Sequence, residues 1–298
     1  MTALWLEWIG TRLALERVLG EAPRLMTWTV IGHAALAVLF AATLSLEMHG
    51  IDGAHPALKP LKFAISIAIF LATMMGLIPS LGLPPTASRA LGAALSLTMI
   101  VEMACIVVQA LRGTRSHFNV ATPLDAAIWR TMVAAIVIAT LLMVLVAILA
   151  SLRPLVTLEG RPMSPWMSAA WRAGLWIFLL AAVSGFAMGG RLAHSVGGED
   201  GGVGLPLLGW SVTHGDLRAA HFVALHALQV LPLVAWILEH ATSVGLARTV
   251  GLSVAIAILA ALSVGTLAQA FAGRPLIATG ATEHTAATDS TRPEGAKT

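Results

Sequence analysis

Seven long apolar stretches alternate with short polar connections along the chain. A membrane-crossing helix needs about 20 mostly apolar residues, and runs of that kind fall at roughly 25–46, 62–82, 89–111, 126–151, 168–190, 218–239 and 247–272. Each predicts a helix, because lipid cannot satisfy open backbone groups and no sustained alternation of apolar and polar positions suggests a barrel strand. Trp28, Trp129, Trp166, Trp171, Trp210 and Trp236 fall near the predicted span ends, as interfacial aromatic belts do. Ahead of the first span, Glu7, Arg12, Glu16 and Arg17 are interspersed with apolar residues, and Trp5 and Trp8 accompany them. That pattern predicts a short amphipathic helix on the membrane surface. The expected organisation is an interfacial segment over roughly 1–24, an all-α bundle of seven transmembrane helices over 25–275, and a disordered tail over 276–298.

An odd number of spans puts the two ends of the chain on opposite sides and sorts the loops. The 1–2, 3–4 and 5–6 connections share one face, called face M below. It carries HGIDGAHPALKP, RGTRSHFNVATPLD and RLAHSVGGEDGGVGLPLLGWSVTHGDLR. The other face has LPPTAS, a plain basic loop around Arg153 and Arg161, and TSVGLA. Seven of the ten histidines lie on or just inside face M: His49, His55, His117, His194, His214, His221 and His226. The basic residues divide almost evenly, eight on the N-terminal side and ten on face M with the tail, so the positive-inside rule gives little leverage. The expected arrangement is an integral protein of the bacterial cytoplasmic (inner) membrane with its N-terminus cytoplasmic.

Composition agrees with the pattern. Charged residues make up 11% of the chain, against about 25% in a typical soluble domain. The net charge of +3 is small and unclustered, which gives no nucleic-acid footprint. Cys105 is the single cysteine, so no disulfide forms within one chain, and there is no tyrosine to serve as acid, base or radical. The run GGEDGGVGLPLLGW lacks the GK[ST] of a phosphate loop. It predicts a compact lid, with Glu199, Asp200 and Asp216 as a solvated acidic face rather than a calcium site.

Ionisable side chains inside a span are expensive and call for a partner or water. In the third span Glu102, Cys105 and Gln109 share one helical face. By helix rise Glu102 lies roughly 15 Å and Gln109 roughly 5 Å below face M. In the sixth span His226 and Gln229 share a face, His226 roughly 12 Å deep. Lys62 begins the second span, and Arg130 lies one turn inside the fourth. One reading is a water-accessible cavity lined by Glu102, Gln109, His226 and Gln229, with Lys62, Arg112, Arg115, His117, Asn119 and Arg130 toward its mouth. Its contents would be a proton, a small ion or a small polar molecule. The other is a redox protein holding b-type haem or quinone through His226 and His33, although His33 lies roughly 20 Å from face M on the same count. A purely structural Glu102–His226 pair also fits. H-E-x-x-H, clustered histidine boxes, nucleophile elbows and kinase motifs are absent from the sequence. Helices three and six flanking one cavity would bring His117 toward His221, and the 113–124 loop would be a surface loop whose substitution spares stability.

The strings PLKFAIS, RGTRSHFNVATPLD, GLPLLGWSVTHGDLR and HFVALHALQVLPL resemble a family of bacterial multi-pass membrane proteins in which K-F-x-x-S, R-G-x-x-S-H-F-N, G-W-S-x-x-x-G-D-L-R and H-F-x-x-L-H-x-x-Q recur. The resemblance covers most of residues 50–235 and brings no activity with it. It implies importance for Lys62, Arg112, His117, Asn119, Asp216, Arg218, His221, His226 and Gln229. Family members carry glycine where this chain has His214, which argues against an essential ligand there.

Overall fold

A computed structural model describes residues 24–51 and 53–278. The expected interfacial helix and nearly all of the expected tail lie outside those residues. Seven helices make up most of the described chain: α1 Arg24–Thr43, α2 Leu58–Ser80, α3 Pro85–Leu111, α4 Pro123–Leu152, α5 Pro165–Arg191, α6 Leu217–Ala241 and α7 Gly245–Phe271. All seven are long and apolar enough to cross a membrane, and the chain is a multi-pass, all-α membrane bundle. Large apolar side chains such as Val38, Leu141 and Leu262 point outward, where a bilayer rather than water solvates them.

The helix starts follow from local chemistry. Pro85, Pro123 and Pro165 stand at first helical positions, where a missing N–H costs nothing. Thr122 and Ser164 cap α4 and α5 by accepting from the backbone N–H groups of Asp125 and Met167, each at 3.1 Å. Asp216 caps α6 by accepting from Arg218 N–H at 3.0 Å. On the side opposite face M, three arginines neutralise helix C-termini. Arg153 donates to Leu81 O and Gly82 O after α2, and Arg172 donates to Ala150 O near the end of α4. Arg248 donates to Glu239 O and Thr242 O at the end of α6. Cations there satisfy orphan carbonyls and oppose the negative dipole end.

The main core is built by Leu71, Met74, Leu77 and Ile78 of α2, Leu95 and Met99 of α3, and Met143 and Val146 of α4, with Leu175 and Leu228 reaching in from α5 and α6. Phe70 and Phe178 stack across it at 5.7 Å. α1 packs on α2 and α3, while α6 packs on α5 and α7. The α5–α6 contact is the most extensive, and both helices bury small residues, Ala170, Gly174 and Ala181 on one and Ala220, Ala224 and Ala227 on the other. Small residues let membrane helices approach at backbone distance. A Cβ at Gly174 would lie 3.0 Å from Ala227 O. Above α5 and α6, Ser195–Val196 pairs antiparallel with Gly215–Asp216 and closes the base of the 5–6 lid.

Candidate polar site beneath face M

The 3–4 connection folds into the bundle instead of lying on it. Gly113 and Phe118 adopt left-handed backbone conformations, φ 68° and 61°. The Asn119 amide then staples the loop, donating to Thr114 Oγ1 at 3.0 Å and Arg115 O at 3.2 Å while its Oδ1 accepts from Ala121 N–H at 3.1 Å. Asn119 is buried, and so is Ser116. This overturns the surface-loop expectation: the side chains of 116–119 hold the fold together as well as shaping the site.

The fold-back carries His117 down onto Glu102. His117 Nε2 lies 3.3 Å from Glu102 Oε1, and the two side chains are 19% and 7% exposed. The ring sits among Phe63 of α2, Phe118 and Trp129 of α4, with centroids 5.2, 5.8 and 5.7 Å away. Ser116 Oγ meets Nδ1 at 3.1 Å. Burial holds the His117 imidazole well below its usual range, with smaller contributions from Lys59 and His221. A neutral His117 has one N–H for two neighbours. Either it donates from Nε2 to a Glu102 carboxylate and accepts the Ser116 hydroxyl, or it accepts at Nε2 from a Glu102 carboxylic acid and donates to Ser116. The other carboxyl oxygen, Glu102 Oε2, is buried with no protein hydrogen-bond partner.

A second network adjoins the first. Asp125 Oδ1 accepts from Gln109 Nε2 at 2.9 Å and from Arg112 at 2.6 Å, and its Oδ2 accepts from Thr122 Oγ1 at 2.6 Å. Arg112 also donates to Gln109 Oε1. Sequence reasoning missed Asp125, although the helix-start pattern Thr122-Pro-Leu-Asp125 was there to find it. The network ties the end of α3 to the start of α4 and so fixes both ends of the 3–4 loop.

The lid forms a third cluster. Asp216 is buried at 3% exposure; it accepts from Ser211 N–H at 2.9 Å and from Arg218 at 2.6 Å. Asp200 accepts from the His194 and Ser195 N–H groups at 3.1 and 2.8 Å. Burial opposes ionisation of Asp200, but those hydrogen bonds together hold its carboxyl below the usual range. His194 is pushed down by burial first and then by Arg218, against the pull of Asp216 and Asp200. Asp200 and Asp216 therefore form a hydrogen-bonded scaffold rather than a solvated face, while Glu199 is exposed as expected. Lys62 Nζ donates to Leu208 O at 3.2 Å, and Arg218 donates to Gly209 O, which pins the lid tip to α2 and α6.

The remaining candidates disperse. His226 stacks on Phe222 with ring centroids 4.0 Å apart and donates from Nδ1 to Phe222 O at 2.8 Å. Gln229 donates to Thr73 Oγ1 of α2 at 3.1 Å. His221 donates from Nδ1 to Ala181 O at 2.9 Å and meets Ser184; it lies near enough to His117 to act on its charge. Arg130 is exposed. Glu102 thus pairs with His117, not His226, and the four residues expected to line one cavity are claimed by separate partners. A depression of about 560 Å3 opens on face M between Ile51, Thr114, Arg115, Phe118 and Asn119, the last two following His117 in the chain. His33 and His226 are not brought together, since α1 packs on α2 and α3 and α6 on α5 and α7. Among the described residues no group of three or more His, Cys, Asp or Glu side chains is arranged to hold a metal. Compared with known protein families, curated proteins and solved structures, the chain matches none of them.

Proposed function

We propose that the protein binds a proton on the Glu102–His117 pair and exchanges it with the solution at face M. The reading rests on one observation. A carboxyl group deep in a membrane bundle has one oxygen against an imidazole at 3.3 Å and the other without a partner. An intramembrane carboxylate without a compensating group is expensive, and such groups mark proton and ion pathways. A proton is the smallest ligand that relieves the cost, and His117 supplies its way in from the depression above. Lys59, in the first turn of α2, acts electrostatically on Glu102, His117 and His194, so it biases the charge of the whole region. The proposal includes a location in the bacterial inner membrane with the N-terminus cytoplasmic. It also takes the chain as a member of the family its motifs resemble; of those motif residues, His117 and Asn119 belong to the loop that forms this site.

Trp129 is the built-in reporter, because its ring lies 5.7 Å from His117. Titrating the purified protein should give a pH-dependent emission component that is missing in Trp129→Phe and missing in Glu102→Gln. A component that persists unchanged in Glu102→Gln would refute the assignment of the proton to this pair.

A further inference from the structure

Four buried side-chain atoms lack a hydrogen-bond partner among the described residues, and two of them belong to titratable groups: Glu102 Oε2 and His33 Nε2. Both residues are more than nine-tenths buried, at 5% and 4% exposure. They lie on α1 and α3, which pack together and both run toward face M. His33 is ten residues before the end of α1 at Thr43, and Glu102 nine before the end of α3 at Leu111. At about 1.5 Å per residue both sit about 15 Å below face M. The depth expected for His33 from sequence was greater because the first span was carried on to residue 46; the helix ends at Thr43.

The tautomer of His33 is fixed by its surroundings. Nδ1 lies 2.7 Å from Thr29 O, and a carbonyl only accepts, so Nδ1 carries the hydrogen. In the neutral ring Nε2 is then a bare lone pair aimed into the bundle. The Met99 carbonyl of α3, one turn from Glu102, acts as a hydrogen-bond acceptor toward the charged ring, while in the neutral ring Nε2 closes no hydrogen bond of good geometry. Around Glu102 the charged or titratable neighbours are His117 from the 3–4 loop, Lys59 of α2 and Cys105 of α3. His33 faces the neutral carbonyls of Thr29 and Met99.

We infer that an ordered water bridges Glu102 Oε2 and His33 Nε2, making His33 the next proton station after the Glu102–His117 pair, at the same depth on the neighbouring helix α1. The water donates to both atoms when Glu102 is ionised, and accepts from the Glu102 O–H while donating to His33 Nε2 when it is protonated; buried waters characteristically satisfy two to four such groups. The transfer balances simply. The O–H bond of a Glu102 carboxylic acid breaks, its proton passes to the water as the water releases one to His33 Nε2, and the products are a carboxylate and an imidazolium whose Nδ1–H stays on Thr29 O. This rests on the proposed proton site and extends it from a binding site to a two-station path from α3 to α1, the first leg of a route through the membrane.

The test is proton flux into vesicles reconstituted with the full chain, holding a trapped pH dye and driven by a potassium diffusion potential. The native protein should conduct above empty vesicles. His33→Gln and His33→Asn should each lose at least tenfold, while the Trp129 emission titration stays as in the native protein. Native-like flux in either folded variant would overturn the inference, as would a native protein that titrates but does not conduct. Loss of the Trp129 titration in the native protein would instead defeat the proton site itself. Should both variants fail to fold, an experimental structure of the native protein decides. A water within hydrogen-bond distance of both atoms supports the bridge, and side chains too far apart for one water overturn it.

Discussion

His117→Ala should destabilise the protein by about 3 kcal/mol, several times the roughly 0.5 kcal/mol ceiling for an ordinary surface substitution. Two losses add. Removing the imidazole leaves the buried Glu102 Oε1 and Ser116 Oγ without their partner, which costs about 1–2 kcal/mol for groups in this setting. The ring also leaves the contacts with Phe63, Phe118 and Trp129, each aromatic pair being worth about 0.5–1.5 kcal/mol when fully packed. The side chain is 19% exposed, so the lower part of that range applies, and about 1–2 kcal/mol remains. His117→Phe restores most ring packing but not the hydrogen bonds, and should recover about half the loss. Equilibrium unfolding in mixed micelles, followed by tryptophan emission and circular dichroism, measures both variants. A loss under about 1 kcal/mol for His117→Ala would mean that the 3–4 loop is not docked on Glu102, and the geometry of the site would be wrong.

Because burial keeps His117 neutral in the fold, the unfolded chain binds more protons below its ordinary value near 6.5. The His117 contribution is therefore fully present above pH 6.5 and is lost as pH falls below it, by up to about 1.4 kcal/mol per pH unit; unfolding midpoints at pH 7.5 and 5.5 should show this, and His117→Phe should flatten it. Gly174→Val should cost about 1–3 kcal/mol by overpacking, since a Cβ there meets the backbone at Ala227 and Leu228. Gly76→Ala, with nothing within 4 Å, should instead stabilise by up to about 1 kcal/mol; equal effects at the two sites would contradict the α5–α6 approach. With Cys105 replaced, cysteine probes in the 113–124 and 155–165 loops should label from opposite sides of the membrane, and same-side labelling would refute the seven-span order.

Hydropathy placed all seven helices, but it placed most of their starts late. α2 to α5 begin three or four residues ahead of the apolar runs, because caps and leading prolines such as Thr122-Pro123 and Ser164-Pro165 carry helix-start chemistry without hydrophobicity. The depth of Glu102 was legible from helix rise. Its partner was not, since periodicity says which residues share a face and not which neighbour that face meets. His117 was singled out but placed at the mouth rather than on Glu102, for a different reason. A loop full of Arg, Ser, His and Asn reads as solvated, and only the left-handed turns at Gly113 and Phe118 with the Asn119 staple send it inward. The lid carboxylates misled in the same way: Asp216 looked like surface charge and is a buried cap. Asp125 was within reach through its capping pattern and was passed over for the more conspicuous arginines beside it.

The central claim is that a proton resides on Glu102 against His117. Infrared difference spectroscopy between acidic and alkaline pH reads it most directly, because a buried carboxylic acid has a C=O stretch distinct from solvated carboxylates. The native protein should show one such band that titrates, vanishes in Glu102→Gln and shifts in His117→Phe. A band that survives Glu102→Gln with its titration unchanged would contradict the account.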